Sequence, residues 1–135
     1  MTQGFLVDSH VLMWLAHEPP LLAPRVIGVL EDSKGAVFVS TVGIAELCIK
    51  SGLGKLRLPW TGSNAVAGFE DLLRELEIEP LPISLAHAAQ LRDLPLHHRD
   101  PFDRLMIIQA MTEGLTMVTH DRAFGHYEGL SVLWA

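Results

Sequence analysis

Short, mainly apolar runs alternate along this chain with longer stretches in which apolar residues recur every three or four positions. The runs at residues 5–7, 36–39, 78–83, 115–119 and 131–133 read as buried strands. Pro80 and Pro82 inside the third run favour a sheet edge, because proline cannot donate to a ladder. Helical spacing fills the intervals. Ser9 stands as N-cap before residues 11–16, Pro19-Pro20 breaks the chain, and residues 23–32 are helical up to a Lys34-Gly35 turn. Ser40 caps a helix running to Ser51 and closed by Gly52, and a loop over 53–62 follows, with Gly54, Pro59 and Gly62. Residues 64–77 are amphipathic and acidic on one side, and Ser84 caps a short helix through Arg92. Asp100-Pro101 opens a strong helix to Glu113, stopped by Gly114, and residues 123–127 form a helical turn.

Strands that alternate with helices, with no tight hairpin turn between them, imply a sheet covered on both faces. The expected fold is therefore a three-layer α/β/α sandwich around a central, mostly parallel five-stranded sheet. A length of 135 residues fits a single domain over 1–135. Hydrophobic residues make up 49% of the chain and charged ones 19%, which excludes a disordered class. The single Cys48 excludes an internal disulfide framework and a cysteine-based zinc site, and it fits a reducing compartment. Asp8 interrupts the first apolar run too early for a signal peptide, and no run is long enough to span a membrane. A cytoplasmic protein with no membrane association is expected.

A net charge of -6 excludes a basic coat protein for nucleic acid. It does not exclude a nuclease whose carboxylates belong to a cation site, since bound metal reverses the local sign. In an open parallel sheet, ligands sit beyond the carboxyl ends of the strands. Asp8 follows the first strand directly and Asp121 follows the fourth by two residues. Each alone is explained by capping, but two acids beyond separate strands point to a site. Glu46 lies among Val42, Ala45 and Ile49 at helical spacing, where an ionised carboxylate needs a partner or a cation. A pair with Lys50 is its bland alternative. Asp100 is explained as an N-cap, whereas Asp103 projects from the first helical turn into the space beyond the sheet. Gathered together, Asp8, Glu46, Asp103 and Asp121 would repel one another strongly, a problem that hard divalent cations such as Mg²⁺ or Mn²⁺ remove. One or two such ions would activate water and stabilise charge on a phosphodiester.

Other features are weaker. His97-His98 reads as a solvated loop, and His10 is close to Asp8 but also explained as the start of a helix. Trp14, Trp60 and Trp134 read as packing residues rather than base-stacking platforms, with Trp60 set apart from the other two by its place in a loop. Gly52-Leu53-Gly54-Lys55 lacks the spacing of a P-loop.

The segments Val7-Asp8-Ser9-His10, Val39-Ser40 through Glu46, Lys50-Ser51-Gly52-Leu53-Gly54-Lys55-Leu56, His98-Arg99-Asp100-Pro101-Phe102-Asp103-Arg104 and Val118-Thr119-His120-Asp121 occur in the order found in one family. Together they resemble PIN domains of the VapC type, the toxins of bacterial type II toxin–antitoxin systems. The resemblance implies a ribonuclease using Mg²⁺ or Mn²⁺, with Asp8, Glu46, Asp103 and Asp121 as its acids and Thr119 shaping the site. It also implies a homodimer and a VapB-like antitoxin partner. Lys50, Lys55, Arg57 and Arg104 then become the expected RNA phosphate contacts, sequence-blind and salt-sensitive. Two other readings stay open. One is a haloacid-dehalogenase-like phosphatase built on Asp8, although His10 replaces the second acid of that family's pair. The other is a non-catalytic partner-binding module.

Overall fold

The computed structural model describes residues 3–60 and 64–135; the expected loop end at Gly62 lies outside the described residues. Strand β1 (Phe5–Val7) pairs in parallel with β2 (Val37–Ser40) on one side and β4 (Thr116–Thr119) on the other. Beyond them lie β3 (Glu79–Leu81) and β5 (Val132–Trp134), giving the order β3-β2-β1-β4-β5 with every pairing parallel. The sheet is thus wholly, not mostly, parallel. Its third strand is an edge, as the two prolines require, and Pro80 stands opposite Val39.

Alternation along each strand divides the core in two. Val7, Val39 and Val118 face one side, where Val11 and Leu12 of α1 (Ser9–His17), Val26 of α2 (Pro24–Asp32) and Phe69 of α4 (Ala65–Leu76) pack. Leu6 and Met117 face the other side, against Met106, Ile107 and Ala110 of α6 (Pro101–Glu113). The period of two in the strands and of three to four in the helices makes the three layers. Each fully buried aliphatic side chain contributes about 1.5–3 kcal/mol. Leu6 has no exposed surface, and Leu6→Ala would cost about 2–5 kcal/mol.

Two glycines have a specific geometric reason. A Cβ at Gly68 on α4 would collide with the Trp60 ring, so this position must stay bare. Trp60 therefore packs on α4, with its ring also edge-on to Phe69 at 4.9 Å, and is not a base-stacking platform. Gly114 ends α6 in the left-handed region at φ 67° and turns the chain into β4.

The cap of α1 differs from expectation. Asp8, not Ser9, is the N-cap: its Oδ1 accepts the Val11 backbone N–H at 2.8 Å. A carboxylate one position earlier reaches the third helical amide, which frees the Ser9 hydroxyl for another partner. Among the described residues no helix is long and apolar enough to cross a membrane.

Candidate metal centre

Strand order reverses between β1 and β4, and the carboxyl ends of these neighbours open the crevice in which the acids meet. Asp8 leaves the end of β1 and is almost wholly buried. Its second oxygen, Oδ2, accepts the Thr119 hydroxyl from the end of β4. Thr119 Oγ1 in turn accepts the Asp121 backbone N–H at 3.1 Å, so one hydroxyl spaces the two acids across the sheet. Asp121 caps the short 3-10 turn Arg122–His126 through the Ala123 N–H and keeps its side chain half exposed.

Helix α3 (Thr41–Gly52) brings Glu46 in from β2. Glu46 is buried, and its Oε1 accepts the freed Ser9 hydroxyl at 2.8 Å. Among the described residues it makes no ion pair with Lys50, so the local salt bridge weighed from the sequence does not form. Helix α6 delivers the remaining acids from its first turn. Asp100 Oδ1 caps the helix by accepting the Phe102 N–H at 2.8 Å, and Asp103 lies one residue further on.

The carboxylates are not one undivided cluster. Ligand atoms of Glu46, Asp100 and Asp103 lie within 4.8 Å of one another, and so do those of His98, Asp103 and Asp121. Asp103 is common to both groups. Asp8 belongs to neither group; its two oxygens accept the Val11 N–H and the Thr119 hydroxyl. The electrostatics follow this arrangement. Burial first, then the charges of Asp100, Glu46, Asp121 and Asp8, push the Asp103 carboxyl up to about 7. Among the described residues no Lys or Arg ion-pairs with any of these acids.

His98 was not legible as part of this centre. Its side chain is only 8% exposed, so it is not the solvated loop residue expected of the His97-His98 pair. The ring stacks on Tyr127 at 5.5 Å and 8° and meets Phe124 edge-on. One signal was present in the sequence. His98 stands two residues before the N-cap Asp100, so the loop carrying it must end where Asp103 begins its turn.

The basic residues separate into two groups. Lys50, Lys55 and Arg57 line a groove of about 610 Å³ along α1 with His10, Trp14 and His17. From that groove His10 and Trp14 lead to His120, at ring distances of 6.3 and 4.7 Å, and His120 adjoins Asp121. Arg104 departs from its expected role as a phosphate contact. Its guanidinium donates to the carbonyls of Leu91, Leu94, Pro95 and His98, at 3.0–3.5 Å, and clamps the loop before α6. A planar fork with several donors suits such a clamp, and those donors are not left for RNA.

Residues 5–130 match the family model for the PIN domain. The chain belongs to the PIN domain family. No curated protein sequence matches it significantly. Among solved structures, the PIN domain here is similar in fold to DNA-bound VapBC from Salmonella typhimurium, with a TM-score of 0.71, 17% identity and 98% of each chain covered. It is also similar to VapBC2 from Rickettsia felis bound to a promoter DNA fragment, with a TM-score of 0.69, 14% identity, and 96% of this chain and 97% of that one covered. VapBC-5 from Mycobacterium tuberculosis, a member of the VapBC family of toxin–antitoxin systems, gives a TM-score of 0.55 at 20% identity, with 99% and 98% covered. The fold of this PIN domain is therefore VapC-like. PIN domains are nucleases, and the acid crevice lies where an open parallel sheet places its ligands.

Proposed function

We propose that this PIN domain is a metal-dependent endoribonuclease that acts as the toxin of a type II toxin–antitoxin pair. The observation that carries the reading is Asp103, a carboxylate shared by two groups of converging ligands and held near 7 by burial and by four neighbouring acids. Carboxylate oxygens fit a hard divalent ion such as Mg²⁺ or Mn²⁺, and such an ion removes the mutual repulsion of the acids. Glu46, Asp103 and Asp121 would hold one or two ions, with Asp8 facing them from the end of β1. When bound, the ion activates water and stabilises the charge that develops on a phosphodiester.

The protein's own residues set up that chemistry. Ser9 fixes Glu46, Thr119 fixes Asp8 and the Asp121 backbone, and the cap made by Asp100 fixes the helical turn that carries Asp103. Lys50, Lys55 and Arg57 in the groove along α1 would take RNA phosphates and guide the chain towards His120 and Asp121. Those contacts would weaken steeply with salt. The VapBC structures that share the fold support a VapB-like antitoxin as partner, and a homodimer is the assembly that goes with this reading. A phosphatase using Asp8 as nucleophile has less support, because both of its carboxylate oxygens already accept hydrogen bonds in a buried position.

The test is cleavage of total cellular RNA by the purified, antitoxin-free protein in Mg²⁺, Mn²⁺ or EDTA, with Asp103→Asn as control. Discrete fragments that require both the ion and Asp103 are expected. Intact RNA in every lane with a folded protein would overturn the nuclease reading in favour of a binding module.

A further inference from the structure

Of the two nitrogens of His98, only one is spoken for. Tyr127 Oη accepts the His98 backbone N–H at 3.0 Å and lies 3.2 Å from Nδ1. Among the described residues the other nitrogen, Nε2, is buried with no hydrogen-bond partner and stands 3.7 Å from Asp121 Oδ2, beyond hydrogen-bonding reach. An unsatisfied buried polar atom costs about 1–3 kcal/mol, so its persistence at the mouth of an acid crevice asks for a partner. The ring has little freedom to find one elsewhere. Tyr127 and Phe124 hold it on two sides, and the Arg104 guanidinium draws in the His98 carbonyl along with the rest of its loop.

We propose that His98 is a cation ligand, supplying Nε2 beside Asp103 and Asp121 to a mixed nitrogen–oxygen position distinct from the all-oxygen group of Glu46, Asp100 and Asp103. The proposal rests on the reading of this crevice as a metal centre, but not on its acting upon RNA. In the tautomer whose Nδ1–H donates to Tyr127 Oη, the one that cation binding would select, the lone pair resides on Nε2 beside the two carboxylates. A hydrogen-bonded far nitrogen is the arrangement that orients ligating histidines generally. An imidazole donor changes which ion the position prefers. Mg²⁺ favours oxygen alone, whereas Mn²⁺ and the later divalent ions accept nitrogen, so the His98 position discriminates between them.

The test uses the full chain and Mn²⁺ as probe, without RNA. Pulsed electron paramagnetic resonance of the Mn²⁺-loaded protein is expected to show modulation from a directly coordinated nitrogen. That modulation should change frequency when histidine is labelled with ¹⁵N, a readout that needs no substitution. In His98→Gln the nitrogen signal should vanish and the Mn²⁺ affinity should fall by about tenfold, with Mg²⁺ affinity much less affected. Tyr127→Phe should weaken Mn²⁺ in the same direction by a smaller factor. Bound Mn²⁺ with no nitrogen modulation would overturn the role of His98 and leave the carboxylate centre standing. Modulation that survives in His98→Gln would overturn it equally, by assigning the nitrogen to another histidine. No Mn²⁺ binding at all would overturn both this inference and the metal centre beneath it.

Discussion

Helix α6 has a buried histidine at each end, and the two are used in opposite ways. At the C-terminal end His87, 2% exposed, closes a capping box with Ser84: its Nδ1 accepts the Ser84 N–H, and its Nε2 lies 2.9 Å from Glu113 Oε1. Both ring nitrogens are satisfied, and the result is a tie between α5 (Leu85–Ala89) and the end of α6. Between the ends, Gln109 Nε2 donates to the carbonyls of Leu81 and Pro82 and secures the proline-bearing edge strand. At the N-terminal end His98 spends one nitrogen on Tyr127 and leaves the other facing Asp121 and Asp103. A buried histidine with both nitrogens satisfied is scaffold. One with a nitrogen left over, beside carboxylates that among the described residues pair with no Lys or Arg, marks a place where the molecule is incomplete without a ligand.

The largest effect should come from the N-terminal end. Asp103→Asn should lower RNA cleavage by on the order of 10²–10³-fold while the circular dichroism spectrum stays unchanged. The same substitution should raise the stability of the metal-free protein at pH 8, because it removes a buried charge set among four others. A loss of stability there would break the contrast, since Asp103 would then be a structural residue like His87.

Next, His87→Ala should cost about 2–4 kcal/mol in denaturant melts, through a cavity and two lost hydrogen bonds, yet leave cation affinity as it was. A loss of cation affinity in this variant would mean the two ends are coupled through α6. Arg104→Lys is intermediate in kind. A single ammonium cannot hold four carbonyls, so a cost of about 1–2 kcal/mol is expected together with weaker Mn²⁺ binding as the loop carrying His98 loosens.

A further effect is one of pH. The Asp103 carboxyl titrates at an ordinary value of 3.8 when unfolded and near 7 when folded. Between these values the folded protein holds the extra proton, so the stability of the metal-free protein should fall as pH rises from about 4 to about 7 and level off above. Excess Mg²⁺ should flatten that decline, and binding at pH 6 should release protons that binding at pH 8 does not. Calorimetry in buffers of different ionisation enthalpy reads this directly. Proton release independent of pH would remove Asp103 from the ligands.

The regular parts of the molecule were legible because they depend on local periodicity. Mainly apolar runs of three to six residues marked the five strands, Pro80 and Pro82 marked the edge, and Asp100-Pro101 with Gly114 bounded α6. The candidate site was legible in part, since Asp8, Asp103 and Asp121 stand beside strand ends or a helix start, positions that a parallel sheet brings together. Side-chain pairings were not legible. Whether Asp8 or Ser9 caps α1 depends on the turn after β1, and the same turn frees Ser9 to meet Glu46, 37 positions away. Arg104 gave no sign that four carbonyls of one loop would converge on it, and His98 gave none that Tyr127 and Phe124 would bury its ring. Such contacts join residues distant in sequence and leave no period to read.

The most direct test of the account is the thermal melt of the wild-type protein and of Asp103→Asn at pH 8, each with and without Mg²⁺. At about a hundred times its dissociation constant a ligand stabilises by about 2.7 kcal/mol, which for a chain of this size is a rise in Tm of several degrees. The wild-type protein should show that rise, and Asp103→Asn should start from a higher Tm and gain little. Equal gains in both proteins, or none in the wild type, would contradict the assignment of Asp103 as the shared ligand of a cation site.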